Sequence, residues 1–190
     1  MAAVAAPYGL RPVNMQGGQY MSHGDRLMKI SGGYATSIFC GDLVKLVAGF
    51  IEKETATTGT KPVGVFWGCE YEDTSMGLFH RNFWTAGTVI KPNSSAWAYV
   101  YDDPDLLFEI QANGPVTQAQ LGLNANLVQT AGSLTTGRSA VALATAGIAA
   151  TATFPVRIVD FVRRPGSAVG DAFTDCIVRL NTHLNRDPAA

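Results

Sequence analysis

Apolar residues in this chain come in short runs cut by glycine, proline and polar turn-formers, and where a period shows it is two, not 3.6. Residues 34–39, 43–47 and 50–53 read as short strands, with Gly32-Gly33, Gly41-Asp42 and Ala48-Gly49 as punctuation. Val47-Ala48-Gly49-Phe50 fits a hairpin closed by a two-residue loop. Residues 55–60 form a polar loop. The apolar strand at 62–68 follows, with glycines at 64 and 68 that mark a bulge or a close backbone approach. Further strands are expected at 78–84, 88–91, 97–101 and 107–111, the third because Trp97, Tyr99 and Tyr101 alternate with Ala98 and Val100. Asp102-Asp103-Pro104-Asp105 is a turn, since Asp bonds its own backbone and Pro fixes φ. Thr117 and Gln120 have capping-box spacing, which predicts one short helix at 117–121. Residues 132–137 read as a loop. Phe154, Val156 and Ile158 alternate and run on into 159–162, and Cys176, Val178 and Leu180 mark a closing strand. Strands recurring at roughly 8–12 residues with no long helix predict a mainly β protein, a compact β-barrel or β-sandwich-like body with one short helix.

Two boundaries suggest themselves. Residues 1–30 lack a periodic element and read as an extended N-terminal arm. Its apolar anchors Tyr8, Leu10, Met15, Tyr20 and Met21 exceed what a solvated tail needs, so they are expected to dock on a partner or a neighbouring subunit. Pro92-Asn93-Ser94-Ser95 then separates a β-domain at 31–92 from a second β-rich subdomain at 93–190, packed on the first.

Composition narrows the partners. Apolar residues make up 47%, enough for a core, but charged residues only 15%, against about 25% in an average soluble domain. Net charge is −1 and the pI about 6.3, which speaks against nucleic acid, whose phosphates demand many cations. So low a charge density suggests a surface partly covered by assembly. Cys40, Cys69 and Cys176 are too few and too far apart for a disulfide framework, which suggests an intracellular origin. The N-terminus lacks the basic start and apolar run of a signal peptide. Residues 139–156 are uncharged, but Ala, Thr, Gly147 and Pro155 make them too weakly apolar for a membrane span.

Candidate chemistry is sparse. His23, His80 and His183 lie far apart and no Cys-x-x-Cys exists, so no metal site is expected. Cys69, Asp73 and His80 could form a nucleophile–base set on paper, but Glu70 and Glu72 beside them would raise a thiol pKa. The Gly-x-Ser-x-Gly elbow and the phosphate-binding glycine loops are missing, and Gly59-Thr60-Lys61 lacks their spacing, so no cofactor and no enzyme is expected. Asp102, Asp103, Asp105 and Glu109 lack the spacing of a calcium loop. Trp67, Trp84 and Trp97 could serve a carbohydrate-binding module, though aromatics in β-rich chains more often fill the core. Arg163 and Arg164 form a small basic patch suited to an acidic partner surface.

Two stretches together carry a resemblance. One runs from Ser31 through Gly41-Asp42-Leu43-Val44-Lys45-Leu46 to a short hairpin with Gly49-Phe50-Ile51, then Pro62-Val63-Gly64-Val65 and on to Tyr71. The other holds Asp102-Asp103-Pro104, Phe108 to Gln111, Gly132 to Gly137 and Arg157-Ile158. This order, over residues 8–183, resembles head decoration (capsid cement) proteins of tailed bacteriophages, in whose small β-domain a short strand pair precedes a strand with a Pro-x-Gly-Val signature. The resemblance implies a non-enzymatic virion protein on the outer capsid surface, made in the bacterial host cytoplasm. Its partners would be the major capsid protein and itself, as a homotrimer or a dimer, with neither nucleic acid nor membrane. It would stiffen the shell at junctions between capsid subunits. A head–tail connector or tail protein, or a carbohydrate-binding module, is the alternative.

Overall fold

The computed structural model describes residues 4–16 and 25–186. Its strands are β1 (Arg11–Met15), β2 (Asp25–Ile30), β3 (Ile38–Phe39), β4 (Leu43–Val47), β5 (Phe50–Lys53), β6 (Gly64–Asp73), β7 (Gly77–Arg81), β8 (Phe83–Trp84), β9 (Ala96–Tyr101) and β10 (Leu106–Gln111). They continue with β11 (Asn124–Ala125), β12 (Leu127–Val128), β13 (Ala142–Leu143), β14 (Val156–Phe161) and β15 (Asp175–Leu180). Among the described residues the helical content is one 3-10 turn, Gln118–Gln120, where Gln120 Oε1 accepts the Thr117 N–H at 2.8 Å as the capping box requires. The protein is mainly β, as the alternation predicts.

Two antiparallel sheets carry the structure. The first runs β2-β9-β6-β4-β5, with β7 also paired to β6. The second runs β1-β10-β15-β14-β11. β5 packs beside β2, but no hydrogen-bonded ladder joins them among the described residues, so the first sheet is not a closed barrel.

Two cores follow from the alternation of side chains, and three strand ends serve both. Leu43, Val65 and Tyr101 point into the core of the second sheet, with Phe108, Ile110, Ile158 and Val178. Their chain neighbours Val44, Phe66 and Val100 point into the core of the first, with Ile38, Ile51 and Trp84. The sheets therefore share structural members and, among the described residues, no separate linker stands between them. Nor do the sheets follow the sequence boundaries. β1 and β2, from the expected arm, enter different sheets, and β9, which begins beyond residue 92, lies in the middle of the first.

One-residue register shifts set the phase of three strands. In β6 the register steps from Phe66 opposite Val100 to Gly68 opposite Tyr99, leaving Trp67 as the extra residue. Phe66 and Cys69 can then face the same core although they are three positions apart. β14 does the same at Val159, which lets Ile158 and Phe161 share a core, and β1 shifts at Val13. Residues 139–156 hold the short strand β13 and buried Val141 and Leu143. Among the described residues no helix is long and apolar enough to cross a membrane.

Candidate functional site

The N-terminal segment is built into the body. Leu10 is 1% exposed in the second core, and Met15 packs against that core. Backbone bonds hold the segment: Gly9 N–H donates to the Val141 carbonyl at 3.1 Å, and Leu10 N–H to that of Gly41 at 2.9 Å. The approach is tight. A Cβ on Gly9, whose φ is +76°, would lie 2.6 Å from Ser139 Cβ and 2.7 Å from Gly41 O. Of the expected anchors, Leu10 and Met15 are thus taken up within the chain, while Tyr20 and Met21 lie outside the described residues.

Asp42 pins the loop that receives this segment. One oxygen meets Lys53 Nζ at 2.8 Å and accepts the Phe39 N–H at 2.9 Å; the other accepts the Ser139 hydroxyl at 2.6 Å. Asp42 is fully buried and Lys53 nearly so. The Gly41-Asp42 pair that carries much of the resemblance thus works as a structural clamp on three loops.

Tyr8 and Arg164, both expected as contact residues, come together inside the chain. The Tyr8 hydroxyl donates to Glu109 at 2.7 Å and to Asp175 at 3.1 Å. Arg164 reaches the same carboxylates at 2.6 and 2.7 Å. Burial, and then Glu109 and Asp175, hold the Tyr8 phenol well above its ordinary pKa. Burial works against the Arg164 cation, but the two carboxylates outweigh it and raise its pKa. Arg163 remains exposed, 3.5 Å from Asp160.

Tyr8 also lines a cavity of about 480 Å³, together with Leu10, Arg11, Cys40, Trp67, Asn82 and Arg138. Trp67 is here because the β6 register shift turns it outward: it is 42% exposed, with its ring edge-on to Tyr101 at 5.4 Å. A second recess shares Trp67 and Asn82 with this cavity and is lined as well by Arg81, His80 and Tyr99. There Glu70 accepts the Tyr99 hydroxyl at 2.7 Å, a bond that pushes the phenol up to about 12, and lies 3.4 Å from His80 Nδ1. Asn82 closes the other wall, donating to the Thr136 carbonyl at 3.1 Å.

The chain matches no family model, no curated protein and no solved structure.

The other candidates resolve individually. Cys69 Sγ donates to the Phe83 carbonyl at 3.3 Å, and burial pushes its thiol up to about 12, while His80 turns to Glu70. Cys69, Asp73 and His80 are therefore not assembled as a nucleophile and base. Burial also raises Cys176 to about 12, and Cys40 in the same direction despite Arg138 and Arg11 beside it. Asp102 pairs with Arg26, Asp105 with Arg186 and Glu109 with Arg164. Among the described residues no three His, Cys, Asp or Glu side chains are placed to hold a metal ion. Trp84 is fully buried and Trp97 half-buried beneath Lys29, so Trp67 offers the freest indole face. The cavity's rim was not legible in the sequence, because Arg11, Asn82 and Arg138 come from three distant segments. The Gly68 after Trp67 was the one local sign.

Proposed function

We propose that this chain is a structural virion protein that binds the outer surface of a tailed-phage capsid as a homotrimer and reinforces contacts between major capsid subunits. The observation that carries this reading is the tip of the β4–β5 hairpin. Val47 and Phe50 stand opposite each other there, each 39% exposed, with Leu46 next to them. Ala48 and Gly49 turn the chain with φ of 48° and 86°, the two-residue geometry that keeps such a tip rigid. Adjacent apolar side chains on a rigid projection suit contact with another protein surface. Met76 and Leu78 add a second exposed pair at the β6–β7 turn.

The disposition of charge supports the same reading. The buried carboxylates Asp42, Glu109 and Asp175 are answered within the chain, by Lys53 and by Arg164, and hold its segments together. The carbohydrate alternative is weakened because two of its three indoles are packed against the body. The test is to mix the purified chain with shells that lack it and sediment them. Binding in a fixed ratio that raises the shells' disruption temperature supports the proposal; a chain that stays in the supernatant contradicts it. Phe50→Ser should weaken binding roughly tenfold or more while leaving the fold intact.

A further inference from the structure

Three guanidinium groups stand near Trp67 without an ion pair among the described residues: Arg11 and Arg138 at the cavity, and Arg81 in the adjoining recess, where Glu70 is taken up by Tyr99 and His80. Arg11 lies over the Tyr8 ring at 4.3 Å, Arg81 over the Phe79 ring at 4.8 Å, and Arg138 stands exposed at the rim. Among the described residues none of the three forms an ion pair, whereas Arg26, Lys45, Lys53, Lys91, Arg163, Arg164 and Arg186 all do. Besides Arg11 and Arg138 the cavity is lined by Leu10, Tyr8 and Trp67, with Cys40, Gly41 and Asn82. The Gly41 backbone on the floor is already committed, its N–H to the Phe66 carbonyl and its carbonyl to Leu10 N–H.

That combination selects the occupant. A saccharide would bring hydroxyls that need neutral donors and acceptors, and here the Gly41 backbone is paired and the Asn82 amide already donates to Thr136, which leaves chiefly the Arg11 and Arg138 cations to meet a ligand. An apolar side chain needs none. Tyr, Trp and Arg are the residues that dominate binding energy at protein interfaces, and Arg recognises carboxylates through two parallel hydrogen bonds. We infer that the opening takes an extended acidic segment of a partner protein. One apolar side chain of that segment sits between Tyr8 and Trp67, and carboxylates on either side of it meet Arg11, Arg138 and Arg81. The identity of the partner as the major capsid protein rests on the function proposed above; the chemistry of the groove does not.

The probes are a blocked oligoglutamate peptide with one central leucine, the same peptide with glycine in its place, and an oligogalacturonate of matching charge. Each is titrated calorimetrically into the full chain. The leucine peptide should bind at low salt, and the glycine peptide roughly tenfold or more weaker, because the seated side chain is lost. Trp67→Ala and Arg138→Gln should each weaken the leucine peptide by a similar factor. Both side chains reach solvent, and an unchanged melting temperature confirms that the variants fold. Failure of the leucine peptide to bind overturns the inference. So does tighter binding of the oligogalacturonate, or equal binding of both peptides to the protein and to Trp67→Ala. If shells are still decorated while the peptide fails, the groove assignment falls and the capsid reading stands; the reverse pair of results separates them the other way.

Discussion

The Tyr8 hydroxyl and the Arg164 guanidinium converge on the same two carboxylates, Glu109 and Asp175. Glu109 lies on β10 and Asp175 opens β15, strands that pair at the centre of the second sheet. The cluster thus ties the segment before β1 to the loop after β14. Tyr8→Phe should cost about 1.5–3 kcal/mol, the usual range for a hydrogen bond to a charged group. Arg164→Gln should cost a similar amount, reduced by its partial exposure. The two losses should not add, since both act on the same carboxylates, and a double-mutant cycle in denaturant should show coupling of about 0.5 kcal/mol or more.

Leu10→Ala removes a side chain that is fully enclosed, so it should destabilise the protein by about 2–5 kcal/mol. A residue in a docking arm would leave the isolated protein unchanged. Equilibrium unfolding separates the two cases directly.

Asp42→Ala leaves Lys53 buried without its partner and frees the Phe39 N–H and the Ser139 hydroxyl. Breaking such a buried pair from one side should cost about 3–5 kcal/mol. Lys53→Met together with Asp42→Leu should recover much of the loss, as measured by the denaturation midpoint.

The alternation of apolar positions revealed the fold class, the β4–β5 hairpin and the closing strand, because each of these keeps one phase throughout. β6 showed as an apolar run with glycines at 64 and 68, and β14 as an alternation at Phe154, Val156 and Ile158 that gives way to the run 159–162. Their register shifts at Trp67 and Val159 change which face each residue takes; Gly68 signals the first, and nothing local signals the second. Residues 88–91 have strand-like composition, yet Ile90 makes only a single bridge, to Asp73. The N-terminal segment was illegible for another reason. Tyr8 and Leu10 gain their partners only once β10, β15 and the Gly41 loop are in place, so sequence alone shows stray apolar residues among turn-formers. Arg164 does reach the surface, but its pairing with Glu109 and Asp175 was hidden for the same reason. The Trp67 opening draws on five separate segments, and proximity in sequence could not assemble it.

Acidification should weaken the fold through His183. Burial holds this imidazole below its ordinary pKa of 6.5, against the pull of Asp102, and its Nδ1 accepts the Asn185 N–H at 3.1 Å. The unfolded chain therefore takes up the proton at a higher pH than the folded one. The His183 contribution to stability is intact above pH 6.5 and declines as the pH falls from there towards the lower folded-state value. Unfolding free energies measured from about pH 7.5 to 5 should show this slope, and His183→Gln should flatten it.

Cys69 and Cys176 should resist alkylation at neutral pH until the protein unfolds, since burial pushes both thiols up to about 12. Cys40, half-buried beside Arg138, should react first, though more slowly than free cysteine. Mass spectrometry of briefly labelled native protein gives the order.

The central claim is that this chain decorates a capsid. Electron cryomicroscopy of particles whose genome encodes it, compared with particles lacking it, tests that most directly. Added density should appear on the outer surface in regular three-fold clusters at junctions between capsid subunits, with the β4–β5 hairpin against a neighbouring surface. Identical outer shells in the two maps, or the added density confined to the tail or the neck, would contradict the account.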